Sequence, residues 1–297
     1  MTRAFTLLDG GMGKALHAAG APFGQPEWSA LALMDGPEWV TRVHGEFIEA
    51  GADVIITNNY AVVPFHLGEE RFSARGTELT DMAGRLAREA ADGADRPVRV
   101  AGSLPPMFGS YRPDLFDADR APELLTVVVD ALAPHVDLWL AETQSLVAEA
   151  AASARAAAGH GLPIWLAMTL ADEHHGEVSH LRSGESVTAA ARLAGEVGAQ
   201  ALLFNCSHPE VMLPAIVEAR SALPDHIEVG AYANAFEPAE ARPGANEAIR
   251  DHRADLDDGG YLPFVESWLD AGATIVGGCC GIMPRHIGDL SRMGTAN

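Results

Sequence analysis

A glycine that separates a helical segment from an apolar segment occurs three times in this chain, and it constrains the fold more than any other feature. Gly51, Gly198 and Gly272 each follow an acidic residue by two positions, precede an alanine and lead into an apolar run. Glycine adopts the left-handed conformation that ends a helix at little steric cost, so each copy predicts a helix, a tight turn and a strand. Such units are typical of a parallel sheet covered by helices.

Apolar segments bounded by glycine, proline or acidic residues run through the whole chain and predict eight strands. Helical spacing separates most of them, as in Trp39, Val43 and Phe47, which lie four residues apart after Pro37. The alternation predicts an α/β protein, a (β/α)8 TIM barrel in a single domain spanning residues 1–297. An open, doubly wound sheet is the alternative, because a sequence shows the number of strands better than the closure of the sheet. The segments are Phe5–Leu8, Val54–Thr57, Val98–Ala101, Leu138–Ala141, Ile164–Leu170, Ala201–Phe204, Ile227–Ala231 and Thr274–Val276.

Length and charge limit the classes of function. With 297 residues, 48% of them hydrophobic, the chain can bury one large core. Its formal charge of −21, from 41 acidic and 20 basic side chains, argues against a nucleic-acid-binding surface or a polybasic membrane patch. The first nine residues lack the apolar stretch of a signal peptide, and no run reaches the roughly 18 apolar residues of a spanning helix. We expect a cytoplasmic protein with small-molecule partners, and a homo-oligomer is compatible with the sequence.

All three cysteines of the chain stand where predicted strands end. Cys279 and Cys280 are adjacent and follow the last apolar segment, whereas Cys206 follows the sixth. Neighbouring cysteines bridge each other only across a strained peptide, and one thiol is left over whatever pairs. A metal uses all three, and three thiolates with an open fourth position are the pattern of a catalytic zinc site. His208 is not assigned as a ligand, because a fourth protein ligand would close the position that substrate needs.

The glycine-rich segment after the first strand predicts a site for an amino acid. It lacks the spacing of a phosphate-binding P-loop, and Ala15 follows Lys14 where magnesium would need a hydroxyl. Backbone N–H groups at Gly10 and its neighbours can hold a substrate carboxylate, while Asp9 can accept from an ammonium. A purely structural tight turn is the alternative.

Polar side chains follow two other predicted strands. Glu142 comes directly after Leu138–Ala141, where a charge is costly unless it faces the open end of the barrel. It is therefore a candidate anchor for an amine, the alternative being an N-cap or salt bridge of the next helix. Asn58 follows the second strand and can contribute hydrogen bonds to the same pocket.

Two long segments interrupt the alternation of strands and helices, at residues 105–119 and 236–260. Both follow predicted strands, so in a barrel they lie on the face that carries active sites and can act as lids. Ordinary surface loops are the alternative. Among the histidines, His174 and His175 are expected in solvent, whereas His44 lies in a helical apolar stripe and is expected to pack.

Taken together, these motifs resemble the homocysteine S-methyltransferase family, zinc-dependent thiol methyltransferases built on a (β/α)8 barrel. The resemblance implies that Cys206, Cys279 and Cys280 carry Zn²⁺ and act in catalysis. It implies that Asp9, Gly10 and Glu142 receive the amino-acid end of homocysteine, and that Asn234 approaches the metal when substrate is absent. Trp28, Asn58 and Ser103 belong to the matching motifs and are assigned to the substrate pocket. The matching segments are 9–13, 28–30, 43–53, 57–58, 102–103, 141–143, 205–206 and 277–281.

The donor of the methyl group is less well defined by the resemblance. Tyr60 is followed by Ala61, where the betaine-using branch has an additional aromatic ring, so a betaine donor is disfavoured. The chain ends at Asn297 without the folate and cobalamin modules of methionine synthases, which favours a free-standing donor. S-methylmethionine, or S-adenosylmethionine less efficiently, fits best. The alternatives are betaine as donor, another thiol or a selenol such as selenocysteine as acceptor, and a zinc-binding or redox-sensing protein without enzymatic activity.

Overall fold

The computed structural model describes residues 3–172, 178–236, 253–257 and 259–293, which form a parallel barrel of eight strands. The strands pair in the order β1-β8-β7-β6-β5-β4-β3-β2. A parallel bridge between Leu8 and Val54 joins the two ends of this series and closes the barrel, so the predicted barrel is confirmed. The strands are β1 (Thr6–Leu7), β2 (Val54–Ile56), β3 (Arg99–Leu104), β4 (Leu138–Gln144), β5 (Ile164–Met168), β6 (Ala201–Asn205), β7 (Glu228–Ala233) and β8 (Ile275–Gly278).

Every strand is followed by one or more helices that pack on the outside of the barrel. Short 3-10 helices occur at Pro113–Leu115, Ala158–His160, Pro209–Val211 and Ala254–Leu256. In the part of the chain that the structure describes, no helix combines the length and the apolar character needed to cross a membrane. The α-helices are α1 (Met12–Ala19), α2 (Ala30–Asp35), α3 (Pro37–Ala50), α4 (Pro64–Leu67), α5 (Glu69–Asp92), α6 (Ala121–Leu132), α7 (Val147–Ala157), α8 (Val187–Glu196), α9 (Met212–Ala222), α10 (Leu262–Asp270) and α11 (Pro284–Arg292).

The three repeated glycines end helices in the conformation that the sequence predicts. Their φ angles are +112° at Gly51, +66° at Gly198 and +95° at Gly272, all in the left-handed region. These turns lie at the amino end of the barrel, where each helix is followed by the next strand. The opposite end, where strands lead into longer connections, can therefore hold the polar side chains of a site.

The core has two layers, one between the sheet and the helices and one inside the barrel. The inner layer is filled by large side chains such as Trp165 and Tyr232, both 1% exposed. His44 is fully buried in the outer layer on α3, which confirms its predicted packing role. Because the barrel interior is packed, a ligand can enter only above this inner layer, at the carboxyl ends of the strands.

Candidate active site

The three thiols meet at the carboxyl end of the barrel. Cys206 follows β6 directly, and Cys279 and Cys280 follow β8. Since β7 lies between these two strands in the sheet, the thiols meet across the end of β7. The Sγ of Cys206 lies 3.0 Å from that of Cys279 and 3.9 Å from that of Cys280. All three sulfur atoms lie within 4.8 Å of one another, and within the described ranges they are the one group of metal-ligand side chains so arranged.

This arrangement of sulfurs suits a tetrahedral metal ion. Three thiolates at about 2.3 Å from a zinc ion would lie roughly 3.8 Å apart. The Cys206–Cys280 separation matches that value, whereas Cys279 would have to move away from Cys206 by a fraction of an ångström. Hydrogen bonds from the Cys279 and Cys280 thiols hold the pKa of Cys206 well below its usual value. The bond to Cys206 raises the pKa of Cys279.

Two buried carboxylates face the same cavity as the thiols. Asp9, at the end of β1, accepts a hydrogen bond from the backbone N–H of Ile56 at 2.8 Å through Oδ2. Its Oδ1 is buried and has no hydrogen-bond partner in the described part of the chain. Burial raises the pKa of Asp9 well above its ordinary value and that of Glu142 to about 7. A buried carboxylate with an unused oxygen and no cation beside it is suited to bind an ammonium group of a ligand.

Ser103 and Asn234 do not line the cavity, unlike the other residues that the sequence assigns to the site. Ser103 is fully buried behind Glu142 and donates its hydroxyl proton to Glu142 Oε1. Asn234 accepts from the backbone N–H of Phe236 at 3.2 Å through Oδ1. Their direct contact with substrate or metal stays a prediction that this geometry does not favour. The assigned residues in the wall of the cavity, about 200 Å³ in volume, are Asp9, Gly10, Trp28, Asn58, Glu142, Cys206, Cys279 and Cys280.

The glycines after β1 are required by close packing against the segment after β8. A Cβ atom on Gly10 would lie 2.3 Å from the carbonyl oxygen of Ile282, and one on Gly11 would lie 2.7 Å from that of Cys279. The N–H of Gly11 donates to the Ile282 carbonyl at 2.8 Å. This contact places Asp9 next to the two adjacent cysteines. It also uses one of the backbone N–H groups that the sequence suggested for a substrate carboxylate.

Four non-glycine residues among those described have a left-handed backbone, and all four line the cavity. They are Trp28, Tyr111, Thr143 and Cys206, with φ between +50° and +61°. Such conformations cost on the order of 1–3 kcal/mol each and persist where the surrounding structure imposes them. For Cys206 the conformation occurs at the residue directly after β6, where the chain leaves the strand. The backbone strain is therefore concentrated around the cavity.

Tyr111 is a site residue that sequence reasoning missed. Its hydroxyl donates to Cys206 Sγ at 2.8 Å, and its ring lies 4.3 Å from the guanidinium of Arg182. Tyr111 belongs to the 105–119 segment, so one of the two predicted lids does reach over the cavity. The signal was the interruption of the helix-strand alternation, which pointed to the segment but not to the residue. Most of the second segment, 236–260, lies outside the described residues, as do His174 and His175.

Comparisons with known proteins agree with this geometry. A family model for homocysteine S-methyltransferase matches residues 6–293. A homocysteine S-methyltransferase from Escherichia coli strain K12 is 31% identical, over 96% of this chain and 93% of that protein. A selenocysteine methyltransferase from Astragalus bisulcatus is 28% identical, over 95% of this chain and 90% of that protein. The crystal structure of the E. coli homocysteine methyltransferase MmuM in its metallated form is similar at a TM-score of 0.78 and 26% identity, covering 98% of this chain and 96% of that one.

Proposed function

The chain belongs to the homocysteine S-methyltransferase family, and we propose that it transfers a methyl group from a small donor to the thiol of homocysteine, giving methionine. The observation that carries this proposal is the meeting of three thiols and two buried carboxylates in one cavity. A thiol cluster alone would serve metal storage or redox sensing equally well. The carboxylates add a site for the ammonium group of an amino acid, which those functions do not need.

Asp9 and Glu142 are proposed to bind the ammonium group of homocysteine. Both are buried, and the free Oδ1 of Asp9 offers an acceptor that nothing in the described protein uses. Ser103 holds Glu142 in place through its hydroxyl. Since burial raises both pKa values, an incoming ammonium stabilises the ionised carboxylates by supplying the missing positive charge. The amino-acid end would thereby be fixed at β1 and β4, leaving the side chain to reach the thiols.

Cys206, Cys279 and Cys280 are proposed to hold Zn²⁺, and their donor set fits that ion. When bound, the ion lowers the pKa of the substrate thiol, and ligation by three thiolates keeps the resulting sulfur electron-rich. Tyr111 donates a hydrogen bond to Cys206 and orients this ligand. No histidine joins the cluster among the described residues, and His208 instead donates its backbone N–H to Asp172. One side of the cluster therefore stays open toward the cavity.

Methyl transfer requires the donor's methyl carbon to face the homocysteine sulfur in line with its leaving group. A new sulfur–carbon bond forms, the donor's carbon–sulfur bond breaks, and the electron pair of that bond neutralises the sulfonium charge of a donor such as S-methylmethionine. The proton of the homocysteine thiol leaves to solvent before this step, and no general acid is needed. Aromatic side chains around the cavity stabilise a sulfonium and keep water away from it. They are Phe23, Trp28, Tyr60, Tyr111, Tyr232 and Phe236.

The decisive experiment is a competition between donors that carry different isotopic labels. Zinc-loaded protein is mixed with homocysteine and equal amounts of S-methylmethionine, S-adenosylmethionine and betaine, each with a distinct label in its methyl group. Mass spectrometry of the methionine formed then names the donor, and we expect the label of S-methylmethionine. A parallel reaction with selenocysteine tests the acceptor that one relative's name suggests for that relative. Absence of labelled product from every acceptor, with zinc present, would contradict the proposed function.

A further inference from the structure

Lys14 is the only lysine of the chain, and it lies in the wall of the candidate active site. It belongs to the first turn of α1, a few residues after Asp9, and its side chain is half-buried. Within the described ranges no carboxylate pairs with it. Among the described residues that line the cavity it is also the single lysine or arginine. A lone cation is therefore held at the edge of a cavity whose other charged groups are acidic.

Apart from Lys14, the charged groups of the cavity suit only the ammonium group of an amino acid. The carboxylates of Asp9 and Glu142 and the thiolates of the cysteines can receive an ammonium or a metal ion, but these anions repel a substrate carboxylate. The N–H of Gly11 is occupied by the Ile282 carbonyl. Arg182, the guanidinium next to the cavity, lies against the Tyr111 ring and pairs with Asp172 at 2.6 Å. A substrate carboxylate consequently has a single free cation within the described site.

We propose that Lys14 binds the α-carboxylate of an amino-acid substrate, an assignment that rests on the proposed function. The lysine ammonium sits on a flexible four-carbon stem and carries three donors, so it can follow a carboxylate that enters the cavity. A charge-assisted hydrogen bond of this kind is stronger than a neutral one. In the case of homocysteine, Asp9 and Lys14 would recognise the two charges of one zwitterion from the two ends of a short glycine-rich segment.

Homocysteine and S-methylmethionine both carry an α-carboxylate, so the test has one arm for each. The first arm compares homocysteine with 3-aminopropane-1-thiol, which lacks the carboxylate. The second compares S-methylmethionine with its carboxamide. Each pair is measured with the wild-type protein, with Lys14→Met, which removes the charge at similar length, and with Lys14→Arg, which keeps it. Arg192→Gln is the matched control, because it removes one positive charge from an exposed position on α8, away from the cavity.

Lys14→Met is expected to raise KM for one of the two natural substrates by about 10- to 100-fold, with a smaller change in kcat. For that substrate alone, the preference of the wild type over the carboxylate-free analogue should disappear. Lys14→Arg should retain part of the preference, and Arg192→Gln should retain all of it. A merely structural role of Lys14 would lower the rates with natural and truncated substrates alike, which would overturn the proposal.

Acetylation of the protein amines gives a readout that does not depend on turnover. Because the chain has one lysine, a limiting amine-reactive acetyl donor labels Lys14 and the amino terminus only, and peptide mass spectrometry separates the two. Homocysteine and S-methylmethionine are each added separately, and the one whose carboxylate Lys14 binds should slow acetylation of Lys14 severalfold and leave the amino terminus unaffected. The role of Lys14 would be refuted if the active wild type showed no protection of Lys14 from acetylation and Lys14→Met had unchanged kinetics. The proposed function would then still stand. Protection of Lys14 in a protein that forms no methionine would refute the proposed function while Lys14 keeps its ligand.

Discussion

The two ends of the barrel handle charge and backbone strain in opposite ways. At the amino end, the three repeated left-handed turns fall on glycines, and Asp53 and Asp137, which precede strands, pair with arginine. At the carboxyl end, four residues with side chains also have a left-handed backbone, and the buried carboxylates of Asp9 and Glu142 have no arginine partner among the described residues. The first arrangement lowers the free energy of the folded state, whereas the second raises it. The amino end therefore stabilises the barrel, whereas the carboxyl end keeps polar groups available to bind a ligand.

Asp53 and Asp137 show how the amino end is built. Asp53 Oδ2 accepts from the backbone N–H of Leu7 at 2.9 Å and from Arg3 at 2.7 Å. Asp137 Oδ2 accepts from the N–H of Val100 at 2.7 Å and from Arg88 at 2.6 Å. Each carboxylate thus ties a strand start to a neighbouring element and has its charge neutralised. At the carboxyl end, Asp9 has a comparable backbone bond, but no arginine of the described ranges pairs with it.

The largest effect is expected from Cys280→Ser at the carboxyl end. Loss of one thiolate should abolish tight zinc binding and methyl transfer together, with activity falling by more than about a hundredfold, because ligands matter more than the groups that orient them. Metal content is measured after dialysis against a weak chelator, and circular dichroism verifies the fold. An active variant that retains zinc would show that the thiols are not the metal site.

Glu142→Gln is expected to have the next largest effect on catalysis. The amide can still accept from Ser103, but the negative charge that binds an ammonium is gone. KM for homocysteine should rise by about 10- to 100-fold, while zinc stays bound. Steady-state kinetics with homocysteine varied at saturating donor measures the change. Unaltered kinetics would remove Glu142 from the substrate site.

The same substitution should make the protein more stable above neutral pH. Burial raises the pKa of Glu142 to about 7, so its contribution to folding is most favourable below its unfolded pKa of about 4.5 and is lost as pH rises through 7. Glu142→Gln removes this loss, and the free energy of unfolding at pH 8 should increase by about 1–3 kcal/mol relative to the wild type. Urea unfolding at pH 5 and pH 8 measures it. Equal stability changes at the two pH values would contradict the assigned pKa.

Asp137→Ala tests the amino end and should give the smallest effect. Loss of the bonds from Val100 and Arg88 is expected to reduce the free energy of unfolding by about 1–2 kcal/mol, a modest value because both side chains are partly exposed. Methyl transfer and zinc content should stay unchanged at 25 °C. Glu78→Ala, which breaks an exposed ion pair with Arg75 on α5, is the control and should leave stability unaltered. A selective loss of activity in Asp137→Ala would contradict the assignment of a purely stabilising role to the amino end.

Much of the fold followed from local sequence, because its signals act over a few residues. The eight apolar segments correspond to the eight strands, and the three repeated glycines take the predicted left-handed turns. Placement at strand ends was enough to identify the three cysteines, Asp9 and Glu142 as neighbours in space, since the carboxyl ends of parallel strands meet at one face. Their roles toward metal and substrate are proposals that the experiments above address.

Only the tertiary structure decided which side chains face the cavity and what they contact. Tyr111 reaches Cys206 across 95 positions of sequence, and Ser103 turns away from the cavity to support Glu142. Neither contact leaves a local pattern, because each depends on how connections from different strands pack over the barrel. The isolation of Lys14 is of the same kind. Local sequence specifies the strands and helices and the chemical groups at their ends, whereas packing between distant segments sets which charges are paired and which are left for a ligand.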